Sequence, residues 1–82
     1  MQTVCLFGSD YDSPRSLHRA LKVLLSLPDY YGMNADALND CLSERTSCPA
    51  LWIRREGNDE VLSALELVTR VFEDNGADVK EV

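Results

Sequence analysis

The chain has 82 residues, of which 45% are hydrophobic and 27% charged, a composition typical of a globular domain rather than a disordered segment. Its formal net charge of −6 argues against direct binding to nucleic acid or an anionic membrane, and it favours a basic protein partner. We expect one domain over residues 1–82, and the lack of a signal-peptide pattern or long apolar run predicts a cytoplasmic chain that does not enter a membrane.

The three cysteines are an odd number, so they cannot all pair within the chain. Cys5 and Cys41 fall in apolar patterns, and we expect both to be small buried side chains. Unpaired thiols fit a reducing cytoplasm. The cysteine and histidine spacing is not that of a zinc site, and we expect no metal, no cofactor and no catalytic residue.

The first predicted element is a buried strand at Thr3–Phe7, where strand-forming apolar residues precede a polar loop. A helix is predicted over residues 14–26, because Ser13 is a good N-cap and leucines recur at helical spacing behind a proline at the first helical position. His18 lies in this helix without a nucleophile motif beside it. We therefore interpret His18 as a structural residue.

Pro28 and Gly32 mark a turn-rich loop, and Asn34 can cap a short helix at Ala35–Ser43. The periodicity divides this helix into two sides. The side predicted to face a core consists of Ala35, Leu38, Cys41 and Leu42. The opposite side consists of Asp36, Asn39, Asp40 and Ser43.

The last third of the chain predicts a strand at residues 48–53, a helix at Asp59–Asp74 and a short edge strand at residues 77–82. Asn58 caps this helix, and Gly76 is a left-handed stop after it. Strands separated by helices need crossover connections, which make the strands parallel. We therefore predict an α/β fold, a small three-stranded parallel sheet with three to four packed helices.

Residues 28–44 contain four acids and neither Lys nor Arg. Asp36 lies in the first helical turn, where the helix dipole favours a negative charge, and Asp40 lies too far along the helix to gain as much. A loop and helix that gather carboxylates beside two adjacent tyrosines suit a cationic, concave partner. The alternative is a solvated helix face, with Tyr30 and Tyr31 capping the core.

Two segments carry a resemblance to a known family. Residues 16–22 read Ser-Leu-His-Arg-Ala-Leu-Lys, and residues 27–43 read Leu-Pro-Asp-Tyr-Tyr-Gly-Met-Asn-Ala-Asp-Ala-Leu-Asn-Asp-Cys-Leu-Ser. Together they resemble the family of barstar, the intracellular inhibitor of the bacterial ribonuclease barnase. The similarity is dense over residues 17–43 and looser over the last third. It implies a three-stranded parallel sheet with packed helices, which the pattern of elements predicts independently.

For function, the resemblance implies that the loop and second helix plug the active site of a ribonuclease. The partner implied is a basic microbial ribonuclease or ribonuclease toxin domain, bound one to one. A ribonuclease cleft concentrates cations around a phosphodiester, and a carboxylate can accept their hydrogen bonds in place of the phosphate. On this mapping Asp40 is the phosphate mimic and Asp36 is a second acid at the basic rim. The other positions assigned to partner binding are Tyr30, Tyr31, Gly32, Asn34, Asn39, Ser43 and Asp74.

Three positions depart from the family pattern. Asn39 replaces a tryptophan, Ser43 a threonine and Arg45 a second tryptophan. The change at Asn39 removes a large apolar contact and suggests a differently shaped partner. Asn34 is either only a helix cap or a cap that also borders the interface.

Two further hypotheses stay open. One is a barstar-fold binding module whose target is not a ribonuclease, suggested by Asn39 and Arg45. The other is an enzyme that uses Asp36 and Asp40 as an acid–base or metal-binding pair. That second hypothesis lacks a cleft, a positioned nucleophile and a cofactor motif, so we expect a protein that is not an enzyme.

Overall fold

The computed structural model describes residues 2–82. Three strands form one parallel sheet in the order β1-β2-β3, so the predicted α/β fold is confirmed, with three helices of the three to four expected. The elements in chain order are β1 (Thr3–Phe7), a short 3-10 turn (Gly8–Asp10), α1 (Pro14–Leu24), α2 (Ala35–Ser43), β2 (Ala50–Arg54), α3 (Asp59–Asp74) and β3 (Val79–Glu81).

Each helix begins at the cap that the sequence predicts. The side chains of Ser13, Asn34 and Asn58 each accept a hydrogen bond from the backbone N–H three residues later, which satisfies a donor that the first turn leaves unpaired. Gly76 follows α3 with a φ of 83°, so it is the left-handed stop expected there.

The end of α1 differs from the prediction. The helix stops at Leu24 rather than at residue 26, because Ser26 has a φ of 52° and cannot continue a right-handed helix. The carbonyl of Leu24 accepts a hydrogen bond of 2.6 Å from the Gln2 amide, and the carbonyl of Leu25 accepts one from the Arg45 guanidinium. Two side chains distant in sequence therefore bind carbonyls that the end of α1 leaves free.

The second and third strands are also shorter at their starts than predicted. Pro49 lacks an N–H, and the ladder of β2 begins when the Ala50 N–H donates to the Gln2 carbonyl at 3.1 Å. The Ala77 N–H donates to the Phe72 carbonyl at 3.0 Å, so that residue still belongs to the C-terminal cap of α3. At its other end β2 extends to Arg54, which lies opposite Phe7.

The hydrophobic core lies on one face of the sheet. Val4, Leu6, Leu51 and Ile53 point into it and are almost inaccessible to solvent. The three helices cover this face with the buried side chains Leu17, Leu21, Leu38, Leu42, Leu65, Val68 and Phe72.

The other face of the sheet, named here the open sheet face, carries Cys5, Phe7, Trp52, Arg54 and Lys80, all exposed. The prediction that Cys5 is buried is wrong, because it alternates with Val4 and Leu6 and points to the uncovered side. Parallel sheets usually have both faces covered, so the apolar run of β1 suggested burial on both sides.

Across residues 2–82, the helices are too short or too polar to reach through a lipid bilayer.

Candidate protein-binding surface

The helix α2 presents one polar side to solvent. Leu38 and Leu42 are buried in the core, and the side chains of Asp36, Asn39, Asp40 and Ser43 are exposed, as the periodicity predicts. Ala35 and Cys41, expected to face the core, lie at the border and are half-buried. The loop before α2 adds Tyr30, and the residue that caps its end adds Glu44.

The carboxylates of this side form no ion pair with any cation among residues 2–82. The three ion pairs among residues 2–82, at 3.4 to 3.9 Å, join Lys22 to Asp29, Arg54 to Glu56 and Arg55 to Glu81. The acids Asp36, Asp40 and Glu44 are absent from those pairs, and Glu44 lies at the C-terminal end of α2, where the helix dipole disfavours a negative charge. We name Tyr30, Asp36, Asn39, Asp40 and Glu44 the acidic surface.

The two adjacent tyrosines have different environments. Tyr30 is 83% exposed, whereas Tyr31 is 5% exposed and its hydroxyl lies 2.7 Å from Nδ1 of His18. The alternative that the tyrosines cap the core therefore applies to Tyr31 alone. The structural interpretation of His18 is confirmed, because this buried side chain links α1 to the loop that precedes α2.

Burial shifts the pKa of both members of this hydrogen bond. Desolvation lowers the pKa of His18 and keeps the imidazole neutral at pH 7. Desolvation also raises the pKa of Tyr31, and the nearby Cys41 adds to that rise, so the phenol stays protonated. The pair is a neutral hydrogen bond that holds the loop in place.

The next loop positions are fixed by packing and capping. A Cβ on Gly32 would lie 3.2 Å from Asn34 Nδ2 and 3.3 Å from the Ala37 Cβ, so the glycine provides space for close approach. The unusual backbone angle belongs instead to Met33, whose φ is 57°. Asn34 Oδ1 accepts from the Ala37 N–H at 2.8 Å, and its Nδ2 donates to the Gly32 carbonyl at 3.1 Å.

A hydrogen bond between asparagines connects α2 to the end of α3. Asn75 Nδ2 donates to Asn39 Oδ1 at 2.9 Å and to the Val71 carbonyl at 2.8 Å. Asp74 is exposed and directly precedes Asn75 at the end of α3. The sequence does not predict the contact of Asn75 with Asn39, because nothing local signals a partner 36 residues away.

A shallow groove of about 330 Å³ lies between the loop and α2. It brings together Tyr30, Tyr31, Gly32 and Asp40, four of the residues predicted to bind a partner. The other five predicted residues lie outside this groove: Asn34, Asp36, Asn39, Ser43 and Asp74. Three other residues line the groove that were not predicted as contacts: Ala37, Cys41 and Glu44. Glu44 had a detectable signal, since it follows Asp36 and Asp40 at four-residue spacing.

The groove does not contain an activated nucleophile. Burial raises the pKa of the Cys41 thiol, Glu44 and Asp40 add to the rise, and Arg45 opposes it. The thiol is therefore protonated at neutral pH. No group of three or more His, Cys, Asp or Glu side chains within residues 2–82 is placed to hold a metal ion.

Arg45 is a cation that directly follows Glu44 in the chain. Its guanidinium donates to the Leu25 carbonyl at the C-terminal end of α1, where a positive charge is favoured. Arg45 also lines a second depression with Tyr30, Cys41 and Glu44. Its charge is thus partly engaged by the fold and lies at the border of the acidic surface.

The fold and this surface define a small α/β protein with an exposed acidic loop and helix. The family model for barstar, described as the barnase inhibitor, matches residues 1–81, and the chain belongs to the barstar family. The members of this family are inhibitors and not enzymes.

A relative in Bacillus subtilis (strain 168), named "Putative ribonuclease inhibitor YrdF", is 43% identical over 49 residues. That match covers 60% of this chain and 54% of the relative, so the chain spans about half the length of this curated protein.

Proposed function

We propose that this protein is an intracellular inhibitor, an immunity protein, that neutralises a basic microbial ribonuclease or ribonuclease toxin domain by binding it one to one in the cytoplasm. Membership of the barstar family and the name of the relative support inhibition of a ribonuclease. The observation that carries the proposal is that Asp36, Asp40 and Glu44 are exposed together on one surface and that none of them forms an ion pair within the described part of the chain.

In the proposed complex, the acidic surface occupies the cleft that binds RNA. Asp40 lies in the groove between loop and helix and accepts charge-assisted hydrogen bonds from the cations that normally hold the phosphate. Asp36 and Glu44 face the basic rim on either side. Carboxylates of a folded inhibitor thereby imitate the charge of the RNA backbone and exclude the substrate.

The loop residues contribute shape and order. Tyr30 offers an exposed ring with only two rotatable bonds, which can border the base pocket with little loss of entropy. Tyr31 positions that loop through His18 and contributes the edge that reaches the groove. Gly32, Asn34, Asn39, Ser43 and Asp74 are the remaining proposed contacts.

The test is inhibition of RNA hydrolysis by barnase and by other basic microbial ribonucleases at low ionic strength. We expect a complex with one copy of each protein, and an association rate that falls steeply as salt rises, because opposite fields accelerate the encounter. Failure to bind or inhibit any of these enzymes at low salt would contradict the proposal.

A second candidate is a binding module for a target that is not a ribonuclease. Asn39 favours it, since its amide oxygen is engaged by Asn75 and no large apolar side chain projects at that position. Affinity purification from the native host, with a non-nuclease partner recovered and no ribonuclease inhibited, would decide for this alternative.

A further inference from the structure

The acidic surface lacks an apolar centre. Stable interfaces combine a polar rim with buried aromatic or aliphatic anchors, and the charge pairs that stay exposed at the rim contribute only about 0–1 kcal/mol each. Here Tyr31 is buried against His18 and position 39 is an asparagine, so Tyr30 is the one large exposed ring among the proposed contact residues. An additional apolar contact would therefore supply the buried anchor that these residues lack.

An apolar groove lies beside the acidic surface. It is formed where the start of α1, the loop, the start of α2 and the outer side of α3 meet, and its volume is about 440 Å³. Leu67 is 48% exposed at this groove, although it is a leucine in the middle of a helix. The apolar side chains that define the groove are Pro14, Met33, Ala35, Ala64 and Leu67.

The groove and the acidic surface are continuous. Asn34, one of the proposed contact residues, also lines the groove, and Ala35 lies directly between Asn34 and Asp36 in the chain. A partner that covers Asp36 can therefore contact the groove and the acidic surface in one continuous interface. Specific interfaces bury about 800 Å² per partner, and a helix of nine residues with its loop supplies that area more readily when the groove is included.

The groove is pre-formed in the structure of the chain alone. His18 lines it while its Nδ1 is bonded to Tyr31, and Asn34 is held by its capping bonds. Met33 keeps a left-handed backbone, a conformation that costs a non-glycine residue on the order of 1–3 kcal/mol and is concentrated at binding sites. Little ordering entropy would be lost on binding, which raises affinity.

Charge identifies the chemistry of the occupant. Glu60 lies on the rim, exposed and outside the ion pairs of the described chain, and the residues that line the groove include no Lys or Arg. An apolar side chain next to a cation fits both features. A second copy of this chain fits poorly, because each copy carries a net charge of −6 and would bring like charges together.

We propose that the apolar groove receives an aromatic or large aliphatic side chain of the same ribonuclease that the acidic surface binds, with a neighbouring Lys or Arg of that enzyme facing Glu60. This inference rests on the proposed function. It assigns to the groove the anchor that position 39 does not supply.

The test compares Leu67→Asp with wild type in binding to barnase, by calorimetry and by dissociation kinetics. We expect at least tenfold weaker binding, mainly through faster dissociation, because the variant places a carboxylate where an apolar side chain must enter. Leu67→Met keeps the volume and the apolar character, and should retain wild-type affinity. The matched control is Val23→Asp, since Val23 is 77% exposed on α1 and receives the same kind of change outside the groove.

A third variant, Asp40→Ala, separates this inference from the proposed function. If Asp40→Ala weakens binding and Leu67→Asp does not, the groove proposal is overturned and the acidic surface stands. If only Leu67→Asp weakens binding, the groove is supported and the role of Asp40 is refuted. Absence of wild-type binding to barnase contradicts both for that enzyme class, and a change of self-association in Leu67→Asp without a change in affinity assigns the groove to a second copy.

Discussion

The acidic surface and the open sheet face are both exposed, but their charged side chains differ in whether they contact a partner within the described chain. On the open sheet face, the Arg54 guanidinium lies 5.0 Å from the centre of the Phe7 ring, and Lys80 Nζ lies 5.3 Å from the Trp52 ring. On the acidic surface, no ion pair of residues 2–82 neutralises Asp36, Asp40 or Glu44.

The cations of the open sheet face contact aromatic rings of the same face, whereas the carboxylates of the acidic surface form no ion pair with a cation among residues 2–82. Cation–π contacts stabilise the exposed rings by about 0.5–1 kcal/mol each and partly cover them. Like charges four residues apart on a helix cost a few tenths of a kcal/mol, about 0.2–0.5, and that cost is recovered only when a cationic partner arrives. Exposed aromatic rings alone therefore do not identify the interface. The feature that distinguishes the acidic surface is a row of carboxylates at four-residue spacing on one side of α2, none of them in an ion pair among residues 2–82.

The largest effect is expected from Asp40→Ala, which should weaken a cognate ribonuclease complex by about 2–5 kcal/mol. This is the general range for removing one member of a buried charge pair, and the complex of barnase and barstar is one of the examples behind it. The loss should appear mainly in the dissociation rate. The measurement is calorimetric titration of wild type and variant, with thermal unfolding to show that the fold is intact. Asp78→Ala removes an exposed acid elsewhere and is the control. An unchanged dissociation constant for Asp40→Ala would refute its role as phosphate mimic.

The next largest effect concerns the loop. Tyr31→Phe leaves Nδ1 of the buried His18 without its partner, and an unsatisfied buried polar atom costs about 1–3 kcal/mol of stability. Chemical denaturation measures it. Tyr30→Phe removes the same hydroxyl from a ring that is 83% exposed, and its stability should match wild type. Equal stability of the two variants would show that the hydrogen bond does not hold the loop.

His18 also makes stability depend on pH. Its pKa is lowered in the folded state, so below about pH 6.5 the unfolded chain binds more protons than the folded one, and stability falls as the pH decreases towards the folded pKa. Above that pH both states are neutral and the contribution of His18 is constant. One group limits the slope to about 1.4 kcal/mol per pH unit. Denaturation of wild type and His18→Gln at pH 5.5 and 7.5 measures the difference, and identical pH dependence would exclude His18 as its source.

Asn34→Ala should destabilise the fold by about 1 kcal/mol through loss of the α2 cap. Asn34→Ser keeps a capping oxygen and should restore most of that stability. The two variants also show whether Asn34 contacts the partner. If Asn34 is only a helix cap, the serine variant should bind a ribonuclease with wild-type affinity. Weaker binding by a serine variant of normal stability would show a direct contact.

The local elements could be predicted because their signals are local. The caps Ser13, Asn34 and Asn58 and the stop at Gly76 depend on neighbours within one turn, and the structure has them at the predicted positions. The end of α1 was missed because its left-handed residue is a serine rather than the glycine or asparagine that usually marks such a position. The side chains of Gln2 and Arg45 that bind its last carbonyls come from distant parts of the chain. Cys5 was misplaced because a short apolar strand does not reveal whether one face or two are covered.

The candidate site shows the same division. The exposed side of α2 followed from helical periodicity, so Asp36 and Asp40 could be placed together in advance. The burial of Tyr31 and the exposure of Tyr30 could not be predicted, because two adjacent identical residues show no local difference. The hydrogen bond of the buried Tyr31 joins it to His18, 13 positions away. The bond between Asn39 and Asn75 depends likewise on how α2 packs against α3.

The smallest effect is expected on the open sheet face and tests the contrast directly. Trp52→Ser removes an exposed ring, 42% accessible, together with its contact to Lys80, so it should cost the fold a few tenths of a kcal/mol up to about 1. Binding to a ribonuclease should be unchanged, because this face is opposite to the side on which the helices pack. Calorimetric titration with the ribonuclease that the wild type inhibits measures it. A large loss of affinity would mean that the open sheet face belongs to the interface. The unpaired carboxylates on α2 would then no longer distinguish the acidic surface as the binding side.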